Sequence, residues 1–245
     1  MRAGTRAAAV LGAAALADAL PSVAAVRWLR LAVLPGVTGL GADRHVAMTI
    51  DDGPDPATTP RFLELLAAAD VRATFFVLGE RLQRRPEFAQ ELIAAGHDIG
   101  VHGWIHRAHL LRLPTEVVSD LTRAHHYVAD LTGRRPRFWR PPRGIPTSTG
   151  LAAARRLGMT AVLWSADGRD WRPDATAAGV AARILRQVDA GGVILLHDGA
   201  GPDGMSGAAL GALPAIVEAC WQRGWAVGPV SEHGIRRRGS RKVSR

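Results

Sequence analysis

From residue 46 onward, short apolar runs alternate with helix-forming stretches. Runs at 46–50, 73–78, 97–101, 137–139, 160–164, 193–196 and 226–227 read as strands. Helical stretches near 60–69, 86–95, 115–131, 148–157, 175–189 and 207–222 separate them, and Pro60 and Pro86 sit at first helical positions that suit proline. Such alternation gives a mostly parallel sheet, either open or closed into a barrel. The polar residues decide between the two. Asp51 and Asp52 follow the first strand, His102 and His106 the third, Arg140 the fourth, Asp170 the fifth and His197 the sixth. Polar residues at the C-terminal ends of so many strands are the barrel pattern, whereas an open sheet gathers them at one switch point. The expected fold class is α/β, with the strands closed into a barrel. No glycine-rich phosphate loop is present, so a nucleotide cofactor is not expected.

The first 45 residues differ from the rest. Arg2 and Arg6 precede an uncharged apolar run over 7–17, as in an export signal, and Asp18 interrupts it. The run is short for a membrane-spanning helix, and a carboxylate within one is costly. Residues 1–45 are read as an apolar export or membrane-associating segment with linker, the alternative being a helix docked on the domain. Residues 46–235 are read as the catalytic domain and 236–245 as a basic tail. The net charge of +9 first suggests nucleic acid, but +6 of it lies in the last ten residues, leaving +3 over the first 235. Aromatic residues do not interleave with that basic run, so no nucleic-acid partner is expected. Cys220 is the only cysteine, which excludes an internal disulfide and a cysteine-based zinc site.

The chemistry gathers around Thr49-Ile50-Asp51-Asp52-Gly53-Pro54. Adjacent carboxylates repel, so both ionise comfortably only when a cation or strong donor holds one of them. His102 and His106 stand at i and i+4, on one face if that segment takes a helical turn. Two histidines and a carboxylate leave open positions on a metal, as a catalytic zinc site requires, and Asp52 is the expected carboxylate. Asp51 is then free to act as general base, with Arg140, beside Pro141 and Pro142, as the cation that orients it. His197 ends a buried strand and suits a general acid that protonates a leaving amine, with Asp170 holding it protonated. Trp171 and Leu195 would wall a pocket for a small apolar group. His125 and His126 read as surface or partly packed, and His45, His97, His109 and His233 have no matching partner in the sequence. The whole describes hydrolysis of an amide or ester without a covalent intermediate.

In this order the motifs resemble the polysaccharide deacetylase family, also known as the NodB-homology domain or carbohydrate esterase family 4, over about residues 46–230. The resemblance implies a distorted (β/α) barrel that removes acetyl groups from N-acetylated, less often O-acetylated, sugars. It implies a divalent cation, Zn²⁺ foremost with Co²⁺, Mn²⁺ or Ni²⁺ as alternatives, held by Asp52, His102 and His106. It implies Asp51 as base, Arg140 as its orienting residue, His197 as acid and Asp170 with Trp171 as the acid's support and pocket wall. Leu195 would touch the acetyl methyl, and the backbone N–H of Arg143 would donate to the oxyanion. An acetylated glycan such as peptidoglycan or a chitin-like chain is the implied substrate. The N-terminal segment, for its part, suggests an extracytoplasmic or membrane-associated location, with a cytoplasmic one as alternative.

Three positions depart from the family pattern. Ile50 stands for phenylalanine, Gly103 for serine or threonine, and Arg143 for tyrosine. The Gly103 change removes a hydroxyl from the turn between the metal histidines, and Arg143 adds charge at the rim. Competing readings are a hydrolase of a non-sugar amide or O-acetyl ester, and a non-enzymatic carbohydrate-binding descendant. The last predicts loss of a base, acid or ligand, yet each is present.

Overall fold

The structure, a computed structural model, describes residues 12–25, 39–199 and 207–235. Eight strands, all parallel where paired, carry the fold: β1 (His45–Asp51), β2 (Thr74–Leu78), β3 (Asp98–Gly103), β4 (Phe138–Trp139), β5 (Thr160–Ala161), β6 (Ala166–Asp167), β7 (Val193–His197) and β8 (Ala226–Gly228). The order across the sheet is β5-β4-β3-β2-β1-β7-β6, with β8 paired to β1. The helices are α1 (Thr59–Ala68), α2 (Gly79–Arg84), α3 (Glu87–Ala94), α4 (Pro114–Thr132), α5 (Ser148–Arg156), α6 (Ala177–Leu185) and α7 (Gly207–Gln222).

Period-two alternation sorts the strand side chains into two layers. Val46, Met48 and Ile50 of β1 join Ile194 and Leu196 of β7 in a large core cluster with helix residues such as Phe62, Leu66, Leu213 and Ile216. Ala47 and Val193 face the other way, into a small interior cluster with Phe76, Phe138, Val162 and Val230. The sheet is therefore curled, helices outside and a filled interior, as a (β/α) barrel requires. Continuing the alternation, Thr49 and Asp51 point inward from β1, paired in register with Leu195 and His197 of β7.

The barrel is distorted at two places. On one edge of β1, β8 pairs with its first residues and β2 only with its last three. The other irregularity corrects the strand expected over 160–164, which ends as β5 at Ala161; a second short strand, β6, follows at 166–167 on the opposite edge of the sheet. The chain between them crosses the seam. Val162 N–H donates to Trp139 O on the β4 side at 2.8 Å, and Ser165 N–H donates to Val193 O on the β7 side at 3.0 Å. Helix α2 is a further element that the sequence pattern did not announce.

Residues 12–19 are helical and run into a 3₁₀ turn, Leu20–Ala25. Asp18 Oδ1 accepts from the Thr149 N–H at 2.6 Å, and Ser148 Oγ donates to Ala17 O at 2.9 Å. Asp18 thus satisfies a free amide at the start of α5, where a negative charge also opposes the helix dipole favourably. No helix among the described residues is long and apolar enough to cross a membrane. The first residues of the apolar run, and the basic tail over 236–245, lie outside the described residues.

Candidate active site

β1 delivers both aspartates to one place by a break in its own pattern. Asp51, the last strand residue, points inward and is 2 % exposed. Strand alternation would send Asp52 outward. Asp52 instead has φ +74°, in the left-handed region, which turns its carboxylate toward the histidines. Aspartate tolerates this conformation better than most residues, yet it costs on the order of 1–3 kcal/mol, a strain common at functional sites.

His102 lies on β3 and His106 three residues past its end, and the segment between them takes no helical turn. The chain reverses through Gly103, at φ +137°, and the rings stack with centroids 5.3 Å apart. A serine or threonine side chain at 103 would need a disfavoured backbone, and its Cβ would sit 3.1 Å from Asp120 Oδ2. Here the turn is braced by Asp120, which accepts from Trp104 N–H and from Arg112 Nη1, each at 2.7 Å. The sequence reading missed Asp120. Its only signal was a carboxylate on the inward face of an otherwise apolar helix stripe.

Asp52 Oδ1 lies 3.3 Å from His102 Nε2 and 3.5 Å from His106 Nε2. The three ligand atoms fall within 4.8 Å of one another. His102 Nδ1 is 2.8 Å from Arg140 O, an acceptor only, so Nδ1 carries the proton and Nε2 presents its lone pair to Asp52. Asp52 Oδ1 is buried with no hydrogen-bond partner. Burial lowers His106 despite the nearby Asp52 carboxylate, which favours a neutral ring. An orphaned carboxylate oxygen facing two imidazole lone pairs is a donor set that fits a divalent cation such as Zn²⁺.

Asp51 is held by Arg140, whose side chain is fully buried. Arg140 Nη1 donates to Asp51 Oδ1 and to Thr49 Oγ1, both at 2.7 Å. Nε and Nη2 donate to the carbonyls of Val162 and Leu163, each at 2.9 Å, on the segment that crosses the barrel seam. The guanidinium also lies 4.2 Å from the centre of the Phe76 ring. One arginine therefore fixes the Asp51 carboxylate and satisfies the strand break beside it. Asp51 Oδ2 stays free of Arg140 and lies 3.9 Å from His102 Nε2.

On the neighbouring strand, His197 Nδ1 is 2.8 Å from Asp170 Oδ1, and Asp170 Oδ2 accepts the His197 backbone N–H at 2.7 Å. Both carboxylate oxygens of Asp170 are thus committed to His197. Burial alone would lower this imidazole, but Asp170, with Asp52 and Asp51 behind it, pushes it up to about 10. His197 is a cation at neutral pH, with its side chain one-fifth exposed and able to reach a ligand. Leu195 is buried two residues earlier on the same face. Trp171 is 56 % exposed and stands at the rim rather than in a closed wall. Arg143 is exposed, at φ +59° in a 3₁₀ turn (Pro142–Gly144) that touches the Leu20–Ala25 segment.

Asp198 was also missed. It is fully buried and accepts from the hydroxyls of Thr58 at 2.6 Å and Thr59 at 2.5 Å, tying the loop after Asp52 to the end of β7. Of the two histidines read as surface or partly packed, His126 is exposed and His125 is buried. His45 and His233 are partners, Nδ1 to Nδ1 at 2.8 Å, and His109 is buried and stacked on Trp139.

An ion-paired carboxylate, a histidine held by a second carboxylate and a three-residue cluster that could hold a metal lie together at the C-terminal mouth of the parallel barrel. Residues 39–162 match the family model described as polysaccharide deacetylase, and the chain belongs to that family. It is 36% identical to the chitooligosaccharide deacetylase of Bradyrhizobium sp. (strain ANU 289), over 65% of this chain and 73% of that protein. It is 33% identical to the peptidoglycan-N-acetylglucosamine deacetylase PgdA of Listeria monocytogenes, over 67% of this chain, and spans about a third, 34%, of that longer protein. Among solved structures, the Bc1960 peptidoglycan N-acetylglucosamine deacetylase in complex with 4-naphthalen-1-yl-N-oxidanyl-benzamide superposes with a TM-score of 0.75 at 29% identity, covering 79% of this chain and 90% of that one.

Proposed function

We propose that this protein removes N-acetyl groups from an acetylated glycan, peptidoglycan or a chitin-like oligomer, in a reaction that depends on a divalent cation. One observation carries the reading. Asp52 Oδ1, buried and without a hydrogen-bond partner, faces two histidine Nε2 atoms between an Arg140-bound carboxylate and a protonated histidine. The substrates named for the relatives are consistent with it, and they favour action outside the cytoplasm.

Asp52, His102 and His106 would hold the cation, Zn²⁺ by preference for this donor set. When bound, it polarises a carbonyl oxygen and lowers the pKa of water to about 7. Asp51, aimed by Arg140, takes a proton from the water that attacks the amide carbon. The Arg143 backbone N–H donates to the oxygen on which charge develops, a role that needs the amide and not the side chain. His197 gives its proton to the departing sugar amine, and Asp170 keeps it charged until then. Leu195 and the rim residue Trp171 flank the space for the acetyl methyl.

The test is acetate release from N-acetylglucosamine oligomers and from purified peptidoglycan. The reading predicts release from at least one, with a free amine formed for each acetate. Absence of acetate from both, from protein shown to hold its cation, would refute it.

A further inference from the structure

At the opposite end of the barrel lies a second site, about 16 Å from His102 at the rise of a strand. A cavity of about 200 Å³ there is bordered by His97, Asp98, Arg134, Arg135 and Arg137, with Phe138 on its apolar side. None of the three arginines forms a carboxylate ion pair among the described residues. Arg137 lies over the Phe138 ring, at 5.2 Å, and has no carboxylate partner among the described residues. The one acid in the lining, Asp98, has a single oxygen engaged: Oδ2 accepts from Thr74 Oγ1 at 3.2 Å and from Ser231 N–H at 2.9 Å.

His97 adds a donor of fixed identity. Its ring is buried, and Nδ1 accepts the Ala73 backbone N–H at 3.1 Å. Nδ1 is therefore unprotonated, and the proton of the neutral ring sits on Nε2. No acceptor for Nε2–H is found among the described residues, so it is the donor that the ring offers to the cavity it lines. Burial pushes this histidine down to about 4, in keeping with a neutral ring. Three exposed arginines and one buried imidazole N–H border a recess whose lining contains a single carboxylate, so positive charge is in excess there.

We propose that this recess binds a phosphate group, as a phosphomonoester or phosphodiester, through Arg134, Arg135, Arg137 and His97. Planar guanidinium forks match tetrahedral oxyanions, and the imidazole N–H supplies a fixed fourth donor. Lying far from the catalytic mouth, the site would anchor the enzyme to a phosphate-bearing surface or chain while leaving the active site open. The proposal stands whether or not the deacetylase reading holds.

Calorimetric titration of the full chain with inorganic phosphate, at ionic strength matched with chloride, tests it. Saturable binding is expected. Affinity should fall roughly tenfold or more in R134Q/R135Q, and likewise in R137Q, the loss expected for a charge-assisted hydrogen bond. R155Q/R156Q removes the same charge from α5 and should leave affinity unchanged. Sedimentation with phosphatidylglycerol and phosphatidylcholine vesicles assigns the source. Anionic-vesicle binding that drops in R134Q/R135Q points to a lipid headgroup, and vesicle binding unaffected by that variant points to a soluble phosphate ester. No phosphate binding by the wild type, or equal losses in the cavity variants and R155Q/R156Q, would overturn the proposal.

Discussion

Replacing Arg140 should cost far more than a contact in the active site. Its guanidinium is fully buried and makes four hydrogen bonds, to Asp51, Thr49 and the carbonyls of Val162 and Leu163. Arg140→Met strands the Asp51 carboxylate in the interior, and breaking a buried pair in this way costs about 3–5 kcal/mol. Two buried carbonyls also lose their donors, each worth about 1–3 kcal/mol. Allowing for relaxation and water entry, a loss of about 5 kcal/mol is expected, a large share of the roughly 5–15 kcal/mol that holds a domain folded. Arg140→Lys keeps the charge and one bond to Asp51, but an ammonium cannot span the fork of partners. It should cost about 2–4 kcal/mol, a fall in Tm of on the order of 10 °C for a domain of this size. Thermal unfolding of the chelator-treated proteins reads both effects. Pairing Arg140→Met with Asp51→Leu should recover part of the loss, because no buried charge then stands alone. A lysine variant within about 1 kcal/mol of wild type, or strict additivity in the double variant, would refute the reasoning.

Three further outcomes follow from the site. His197, raised from 6.5 to about 10, should put the alkaline limb of the pH–rate profile well above neutrality, and Asp170→Asn should move it down toward 6.5. The sign for stability agrees: the His197–Asp170 contribution is full below pH 6.5 and is lost as pH rises from there through about 10. His197→Ala should lower kcat by about 10²–10⁴, the usual worth of a positioned acid, with metal content unchanged by elemental analysis. Asp120→Ala frees the turn between the two histidines and should weaken metal affinity roughly 10–100-fold in a competition titration, with activity restored by excess Zn²⁺.

Much of this architecture was readable from period and position. The alternation in β1 and β7 already separated the outward Val46, Met48 and Ile50 from the inward Thr49 and Asp51. It also placed Leu195 and His197 on the inner face. Residues 160–164 misled because an apolar run signals burial but not pairing. Its backbone leaves the β4 side after Val162 and joins the β7 side at Ser165, and Arg140 fills the hydrogen bonds that a continuous strand would have made. The His102–His106 spacing was informative for the wrong geometric reason. Three residues separate the two histidines, the first a glycine in a left-handed conformation, and no local pattern distinguishes that from a helical turn. Asp120, Asp198 and the His45–His233 pair act through contacts 16, 139–140 and 188 residues away, which only the folded chain reveals.

The division of labour between the two adjacent aspartates is the claim on which the rest depends. Zinc content and acetate release, measured side by side on D51N and D52N after chelation and reconstitution, test it most directly. The account predicts that D51N holds zinc as the wild type does yet releases no acetate, whereas D52N fails to retain zinc. Equal zinc content in the two variants, or turnover by D51N, would contradict it.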